Sequence, residues 1–207
     1  MRESARHIVD LYQRHAQAWD RARRANTQAF QSEQAWFERF RQVMGAGRQV
    51  LDLGCGGGEP VARYLVERGY AVTGVDSSVA LLDQCRQRFP EQQWLHADMR
   101  GLALEQDFDG ILAWNSLFHL CPEDQRAMFA VFERHAAPGC ALLFTSGPAA
   151  GEAIGQFQGE ALYHASLDPG EYYTLLDTHG FEVVQHVSED PQCCGFTVWL
   201  ARALDYS

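Results

Sequence analysis

A short apolar run followed by a cluster of glycines constrains the fold of this chain more than any other feature. Val50 to Leu53 has the composition of a buried strand, and four glycines follow within the next five residues, 54–58. Apolar residues at helical spacing begin at Val61. Strand, glycine turn and helix is the arrangement in which a backbone approaches a ligand closely, because residues without a Cβ leave room for it. The pattern predicts a nucleotide-like ligand at the carboxyl end of the first strand of a parallel sheet.

The spacing of the glycines narrows the class of ligand. A dinucleotide fingerprint needs glycines at the first, third and sixth positions, and counting from Gly54 the sixth position is Glu59. No Lys-Ser or Lys-Thr follows, which excludes a P-loop for triphosphates. Asp52 precedes the first glycine by two residues. A carboxylate here repels phosphate and suits a ligand that carries an ammonium group, which favours S-adenosylmethionine.

The segment Asp52-Leu53-Gly54-Cys55-Gly56 resembles the Asp/Glu-x-Gly-x-Gly motif of class I S-adenosylmethionine-dependent methyltransferases. The resemblance covers about residues 48–203. It implies an α/β fold of the Rossmann-like, doubly wound type: a mostly parallel seven-stranded sheet with an antiparallel last strand, preceded by N-terminal helices. It also implies S-adenosyl-L-methionine as the cofactor.

Length and charge limit the other possibilities. The chain has 207 residues, 46% of them hydrophobic, which suits one α/β domain. Its formal net charge of -10 disfavours nucleic acid and anionic lipid as partners. The N-terminus lacks the apolar core of a signal peptide and no apolar run is long enough to cross a membrane, so we expect a cytoplasmic monomer or homodimer. Its six cysteines include no C-x-x-C pair, and no metal site is expected.

Two amphipathic helices are predicted before the glycine motif, the first over residues 5–24 and the second ending at Gly45. We assign residues 1–47 to a helical lid and residues 48–207 to the cofactor-binding domain. Tyr12 and Trp19 lie on the apolar stripe of the first helix and are candidates for binding the acceptor. The alternative is that this stripe only packs on the sheet.

Acidic residues follow the second and third predicted strands. Asp76 ends the second strand, where its carboxylate can accept hydrogen bonds from ribose hydroxyls; capping the helix that begins at Ser77 is the alternative. Asp98 follows the third strand. The resemblance implies that Asp98 accepts from the adenine amino group and that the backbone of Met99 meets the ring, whereas a turn residue is the simpler interpretation of Asp98.

The fourth strand ends at Ala113 and Trp114, and residues 115–120 should line the crevice where strand order reverses. His119 is a candidate general base, because its reference pKa lies near neutrality. The alternative is that His119 has only a structural role. Asn115 either orients an acceptor through its side-chain amide or only stabilises the loop. The predicted cofactor-binding residues are therefore Asp52, Gly54, Cys55, Gly56, Asp76, Ser77, Asp98, Met99, Ala113 and Trp114.

The segment 147–168 shows neither strand nor helix periodicity, and long loops of this kind are often functional covers. Tyr163 and His164 within it are further candidates for binding the acceptor. Two strands joined by a short connection then close the chain as a hairpin, so the last strand should be antiparallel.

These features predict methyl transfer from S-adenosylmethionine to a small-molecule acceptor. In-line displacement at a sulfonium needs alignment, exclusion of water and, for some acceptors, removal of a proton, which agrees with the absence of a conspicuous catalytic constellation. A catalytically silent S-adenosylmethionine-binding protein that acts through a partner is one alternative. A NAD-dependent oxidoreductase is a second and weaker one.

Overall fold

A seven-stranded sheet forms the centre of the protein in the computed structural model, which describes residues 3–205. Its strand order is β3-β2-β1-β4-β5-β9-β8. The strands of this sheet are β1 (Gln49–Leu53), β2 (Ala71–Asp76), β3 (Gln93–His96), β4 (Phe108–Ala113), β5 (Ala136–Ser146), β8 (Phe181–Asp190) and β9 (Phe196–Ala203). The last strand, β9, runs antiparallel to both β5 and β8, and all other pairs are parallel. The predicted fold class is confirmed.

Within residues 3–205 six α-helices accompany the sheet: α1 (Glu3–Ala25), α2 (Thr27–Met44), α3 (Val61–Val66), α4 (Val79–Arg88), α5 (Pro122–His135) and α6 (Pro169–Thr178). One apolar core joins the sheet to α5 and α6, with Phe129 and Tyr172 fully buried. The second joins the opposite face to α2, α3 and α4. Gly110 in β4 permits the close approach of α2, because a Cβ there would lie 2.5 Å from the ring of Phe40.

The crevice of the sheet lies beyond the carboxyl end of β1. This strand pairs with β2 on one side and with β4 on the other, so the chain leaves in opposite directions after β1 and after β4. Where strand order reverses in this way, the two loops turn away from each other and leave a cleft between them. The turns that follow β1, β2 and β4 therefore meet at one place.

Helix α1 lies over this crevice and is fastened to it by polar contacts. Asp20, nearly buried, accepts two hydrogen bonds of 2.6 Å from Arg88 of α4, and Arg88 also donates to the carbonyl of Gly57 in the glycine turn. Gln13 accepts a 2.9 Å hydrogen bond from the hydroxyl of Ser78. The backbone leaves helical geometry at His15, with φ −105° and ψ 17°, so α1 is kinked where it crosses the site.

The expectation of an irregular loop over residues 147–168 is wrong. Residues 151–166 form an antiparallel hairpin, β6 (Gly151–Phe157) and β7 (Glu160–Ser166). Its two-residue turn has positive φ at both Gln158 (53°) and Gly159 (81°), as the mirror-image turns of hairpins require. The sequence of β6 lacks the apolar–polar alternation typical of a strand, because β6 is largely exposed and carries glycines instead of alternating apolar residues.

The hairpin tip contacts α1. Glu160 accepts a hydrogen bond from Arg14 and lies 2.6 Å from the Nε2 atom of His15. The ring of Phe157 lies 5.6 Å from that of Trp19. The hairpin thus covers the site indirectly, by packing on the helix that lies over it.

Candidate active site

A cleft with about 850 Å³ of free space, its open mouth included, lies at the carboxyl ends of β1 to β4. Helix α1 supplies one wall and the turns after the strands supply the other. Its lining includes ten residues singled out here: Tyr12, Trp19, Gly54, Gly56, Asp76, Ser77, Asp98, Met99, Asn115 and His119. The fold therefore brings residues from five separate segments together at this cleft.

The glycine turn after β1 fits around the end of β2. The amides of Gly54 and Cys55 both donate to the carbonyl of Val75, at 2.8 and 3.1 Å. Gly54 has φ +80°, and a Cβ there would lie 2.4 Å from the Cβ of Ser116, so only glycine fits. The turn leaves its backbone exposed to the cleft, with Gly54 and Gly56 both in the lining.

Asp76 links this turn to the next one. Its carboxylate accepts hydrogen bonds from the amide of Gly56 at 2.9 Å and from that of Ser78 at 2.8 Å. Burial raises the pKa of Asp76, and these backbone donors oppose the shift. Ser78, whose hydroxyl accepts from the amide of Leu81, is the residue that caps α4. Asp76 therefore orders the turn before α4, and each of its oxygens keeps a second lone pair for a ligand.

A smaller cavity adjoins the cleft and shares Trp19, Gly54, Gly56 and Asn115 with it. Asp52, Cys55 and Trp114 also line this cavity. Asp52 is 3% exposed and has no hydrogen-bond or ion-pair partner among residues 3–205. Burial, followed by the nearby carboxylate of Asp76, raises the pKa of Asp52 to about 7. A cationic group placed in this cavity would relieve both effects.

Asp98 has the predicted position but is already engaged. It begins the short 3₁₀ helix Met99–Gly101, accepts a 3.0 Å hydrogen bond from the amide of Arg100, and pairs with the guanidinium of the same residue. This guanidinium lowers the pKa of Asp98. Arg100 also donates to Asp124 at 2.8 Å, and all three side chains line the cleft. The turn interpretation of Asp98 is therefore observed, and contact with adenine stays a prediction.

The segment after β4 is held against β1 and β5. Asn115 has φ 54°. Its backbone N–H donates to the Thr145 hydroxyl at 2.9 Å, and the same hydroxyl donates to the side-chain Oδ1 atom of Asn115 at 3.3 Å. The hydroxyl of Ser116 donates to the carbonyl of Leu53 at 2.6 Å. Sequence reasoning missed Ser116, although a hydroxyl residue directly after a strand that borders the crevice is a usable signal.

Replacing Ser116 with alanine should lower the free energy of unfolding by about 1–2 kcal/mol, because it leaves the buried carbonyl of Leu53 without this donor. Urea denaturation measures the change. The matched control is Ser32→Ala, which removes a 3.2 Å hydrogen bond to Gln28 on an exposed helix surface and should change stability by less than about 0.5 kcal/mol. Equal effects of the two substitutions would contradict the role given to Ser116.

His119 is buried, and its partners fix its tautomer. Its Nδ1 atom lies 2.9 Å from the carbonyl oxygen of Tyr163, which can only accept, so Nδ1 carries the proton. Its Nε2 atom, 2.8 Å from the hydroxyl of Tyr12, then accepts from that hydroxyl. Burial lowers the pKa of His119 to about 4. His119 is therefore neutral near pH 7, and its basic nitrogen faces the tyrosine of α1.

Three predicted site residues lie outside the lining of both cavities. Ala113 is fully buried within β4. Tyr163 is 1% exposed and packs with Ile8 and Ala165, contributing its backbone carbonyl to His119 rather than its ring to the cleft. The ring of His164 lies 4.9 Å from that of His119, centroid to centroid, and is tilted by 39° to it. Tyr163 and His164 are neighbours in β7, so their side chains point to opposite faces of the hairpin, and neither lines the cleft.

Two expected absences concern the described part of the chain. Within residues 3–205 no group of three or more His, Cys, Asp or Glu side chains is arranged to hold a metal ion. None of the helices over the same residues has the length and apolarity that a membrane span requires.

Comparisons with known proteins identify the central region. Residues 50–139 match the family described as a methyltransferase domain. The trans-aconitate 2-methyltransferase of Azoarcus sp. is 40% identical over 92 residues, 44% of this chain and 35% of that protein. The malonyl-[acyl-carrier protein] O-methyltransferase of Salmonella typhimurium is 38% identical over 104 residues, 48% of this chain and 40% of that protein. The chain thus spans well under half the length of these curated relatives.

Solved structures show the same fold at lower identity. An S-adenosylmethionine-dependent methyltransferase from Clostridium acetobutylicum superposes with a TM-score of 0.73 at 14% identity, covering 94% of this chain and 99% of that one. The glycopeptide N-methyltransferase MtfA, complexed with S-adenosyl-L-homocysteine, gives 0.68 at 18% identity, covering 83% and 89% of the two chains.

The fold and the glycine turn define a Rossmann-like methyltransferase domain. Residues 50–139 are similar to a methyltransferase domain, and the fold is that of solved S-adenosylmethionine-dependent methyltransferases, in agreement with the resemblance in the sequence. The residues present fit this cofactor, because a glycine turn without side chains borders the cleft and an unpaired buried carboxylate, Asp52, lies beside it.

Proposed function

We propose that this protein transfers a methyl group from S-adenosylmethionine to a small-molecule acceptor. The observation that carries the proposal is the pair of carboxylates near the ends of neighbouring strands, buried Asp52 and half-buried Asp76, on either side of the exposed glycine turn. This arrangement is complementary to a nucleoside that bears a cation, and it would repel a diphosphate.

Each residue of the cleft has a task in this proposal. When bound, S-adenosylmethionine supplies a methyl group on a sulfonium, which is an excellent leaving group. Asp76 would accept hydrogen bonds from the ribose, and Asp98 with the backbone of Met99 would meet the adenine. Residues 1–47 would act as the lid that excludes water, since α1 already supplies Tyr12 and Trp19 to the cleft.

Removal of a proton from the acceptor falls to His119, with Asn115 orienting the acceptor. His119 is neutral and so can accept a proton, it lines the cleft with Tyr12, and its Nε2 atom is bonded to the Tyr12 hydroxyl. An acceptor hydroxyl or amine that displaces the Tyr12 hydroxyl would meet this nitrogen directly. Tyr12 therefore holds the base in place before the acceptor arrives.

The wall that α1 supplies to the cleft is aromatic. The rings of Tyr12 and Trp19 lie 5.1 Å apart edge to face, and the ring of Phe157 packs against both, at 6.4 and 5.6 Å. We propose a compact acceptor that these rings can cover. The names of the relatives indicate trans-aconitate and a malonyl carrier protein as their acceptors, but the matched region is the shared domain, so the acceptor here is proposed only as a small molecule. The cytoplasmic location, the monomeric or homodimeric state and the lack of nucleic-acid and membrane partners stay predictions.

Calorimetry with S-adenosylmethionine, S-adenosylhomocysteine and NAD tests the cofactor. We expect the first two to bind and NAD not to bind; NAD binding with no binding of the other two would replace the proposal with the oxidoreductase alternative. Transfer of a labelled methyl group to a panel of metabolites then tests catalysis. Tight binding of the cofactor with no transfer to any acceptor would favour the catalytically silent alternative.

A further inference from the structure

A fully buried side-chain amide, that of Gln125 in α5, lies between the turn that carries His119 and the hairpin. Its Nε2 atom donates two hydrogen bonds of 2.9 Å, one to the carbonyl of Leu120 and one to that of Ala165. Its Oε1 atom accepts a 2.6 Å hydrogen bond from the hydroxyl of Tyr172 in α6. Backbone carbonyls can only accept, so the NH₂ group must face them and the orientation of the amide is fixed.

The two carbonyls that Gln125 joins belong to the segments that hold the imidazole of His119. Leu120 follows His119 directly, at the end of a short 3₁₀ turn. Ala165 lies two residues beyond Tyr163 in β7, and Tyr163 supplies the carbonyl that accepts from the Nδ1 atom of His119. The amide and the imidazole therefore bridge the same turn to the same strand.

The register of the hairpin directs both carbonyls of β7 towards these donors. The two-residue turn 158–159 is closed by a hydrogen-bonded pair, and the pairs along the ladder then alternate between hydrogen-bonded and non-hydrogen-bonded. Counted from the turn, Tyr163 and Ala165 both fall in non-hydrogen-bonded pairs. Their carbonyls point away from β6, where the imidazole and the amide meet them.

We propose that Gln125 is a positioning residue for His119, because it joins the turn that carries the base to the strand whose carbonyl fixes the proton on Nδ1. The inference rests on the proposed function, in which His119 accepts a proton from the acceptor. Without the amide, the carbonyls of Leu120 and Ala165 lose a donor, and the turn and the strand can separate. The imidazole can then adopt its other tautomer, in which Nε2 carries the proton and is no longer a base.

Gln125→Met tests this role, because methionine has a similar length and volume but no donor. In the protein without ligands, we expect the ring-nitrogen NMR signals of His119 to change from the Nδ1-protonated form to a mixture of the two tautomers. These signals are assigned by their loss in His119→Gln. We also expect kcat to fall about tenfold or more with an unchanged dissociation constant for S-adenosylmethionine. The wild-type tautomer in folded Gln125→Met would overturn the proposal.

Tyr172→Phe is the matched control for the loss of a buried hydrogen bond. It removes the hydroxyl that donates to Gln125 and accepts from the amide of Leu167, and it leaves both hydrogen bonds of Nε2 in place. The melting temperature should therefore fall in both variants, whereas the tautomer of His119 and kcat should change only in Gln125→Met. Equal changes of tautomer in the two variants would reduce Gln125 to a stabilising residue and overturn the proposal.

Gln125→Glu repeats the test with the shape of the side chain and the acceptor for Tyr172 retained. An ionised carboxylate has no donor and a protonated carboxyl has one, so at least one of the two carbonyls loses its donor in either state. The change of tautomer in His119 should appear here too, and its absence would overturn the proposal even where Gln125→Met does not fold. Methyl transfer that fails in the wild type would refute the proposed function, whereas the tautomer in the protein without ligands still decides the role of Gln125.

Discussion

Replacing Asp76 with alanine should weaken binding of S-adenosylmethionine about 10- to 150-fold, equivalent to about 1.5–3 kcal/mol. The carboxylate lines the cleft and can accept charge-assisted hydrogen bonds from two neighbouring hydroxyls. The substitution also frees the amides of Gly56 and Ser78, so the glycine turn loses its tie to β2. Isothermal calorimetry measures the dissociation constant.

Two further variants separate these contributions. Asp76→Asn keeps one acceptor for the backbone and removes the charge, so its affinity should lie between those of the wild type and the alanine variant. Asp83→Ala removes a carboxylate from the exposed side of α4, where it pairs with Arg86 at 2.8 Å, and should leave binding unchanged. An unaltered dissociation constant in folded Asp76→Ala would refute the ribose contact.

The cofactor side of the site was predictable because its determinants are local in sequence. The glycine turn must follow a buried strand, and Asp76 must end the next strand, so spacing alone brings Gly54, Gly56 and Asp76 to one edge of the sheet. Asp52 was also singled out, because its charge lies two residues before the turn, and it lines the adjoining cavity. Tertiary packing around these residues does not change their location at the carboxyl edge of the sheet.

The parts that the sequence did not predict depend on pairs that are distant along the chain. The ion pair of Arg23 with Glu33 and the contact of Asp20 with Arg88 fix how α1 meets the cleft, yet charged residues at helical spacing look the same when they are solvated. The hairpin β6–β7 was missed because its outer strand buries little apolar surface. This hairpin places Tyr163 against Ile8 and Ala165, and His164 against the ring of His119, and neither residue lines the cleft.

The environment of His119 reconciles the two interpretations that the sequence left open. It has the buried, fully hydrogen-bonded surroundings of a structural histidine, and it nevertheless lines the cleft together with Tyr12, the partner of its Nε2 atom. Because the neighbouring carbonyl of Tyr163 fixes the proton on Nδ1, the nitrogen that faces Tyr12 is always the basic one near neutral pH. Its partner can therefore exchange between Tyr12 and an acceptor without a change of tautomer.

His119→Ala should lower kcat about 10²- to 10⁴-fold with little change in cofactor affinity, since the imidazole removes the acceptor proton in the proposed mechanism. The assay uses whichever metabolite accepts the labelled methyl group. His135→Ala is the matched control: His135 is equally buried and doubly hydrogen-bonded, to Val131 and Leu104, but lies away from the cleft and should leave kcat of the folded protein unchanged. Wild-type turnover in His119→Ala would make this histidine structural.

The pH profile provides a second test of His119. With a pKa of about 4, the base is unprotonated from about pH 6 to 8, so kcat should be flat there and fall as the pH decreases towards 4. Stability follows the same group: an unfolded histidine binds a proton below about pH 6.5, whereas folded His119 does so only near pH 4, so the free energy of unfolding should fall as the pH is lowered through this interval. In urea titrations, His119→Gln should remove this part of the dependence of stability on pH. An inflection of kcat near pH 6.5 in the wild type would show that the catalytic base is a solvent-exposed group and not His119.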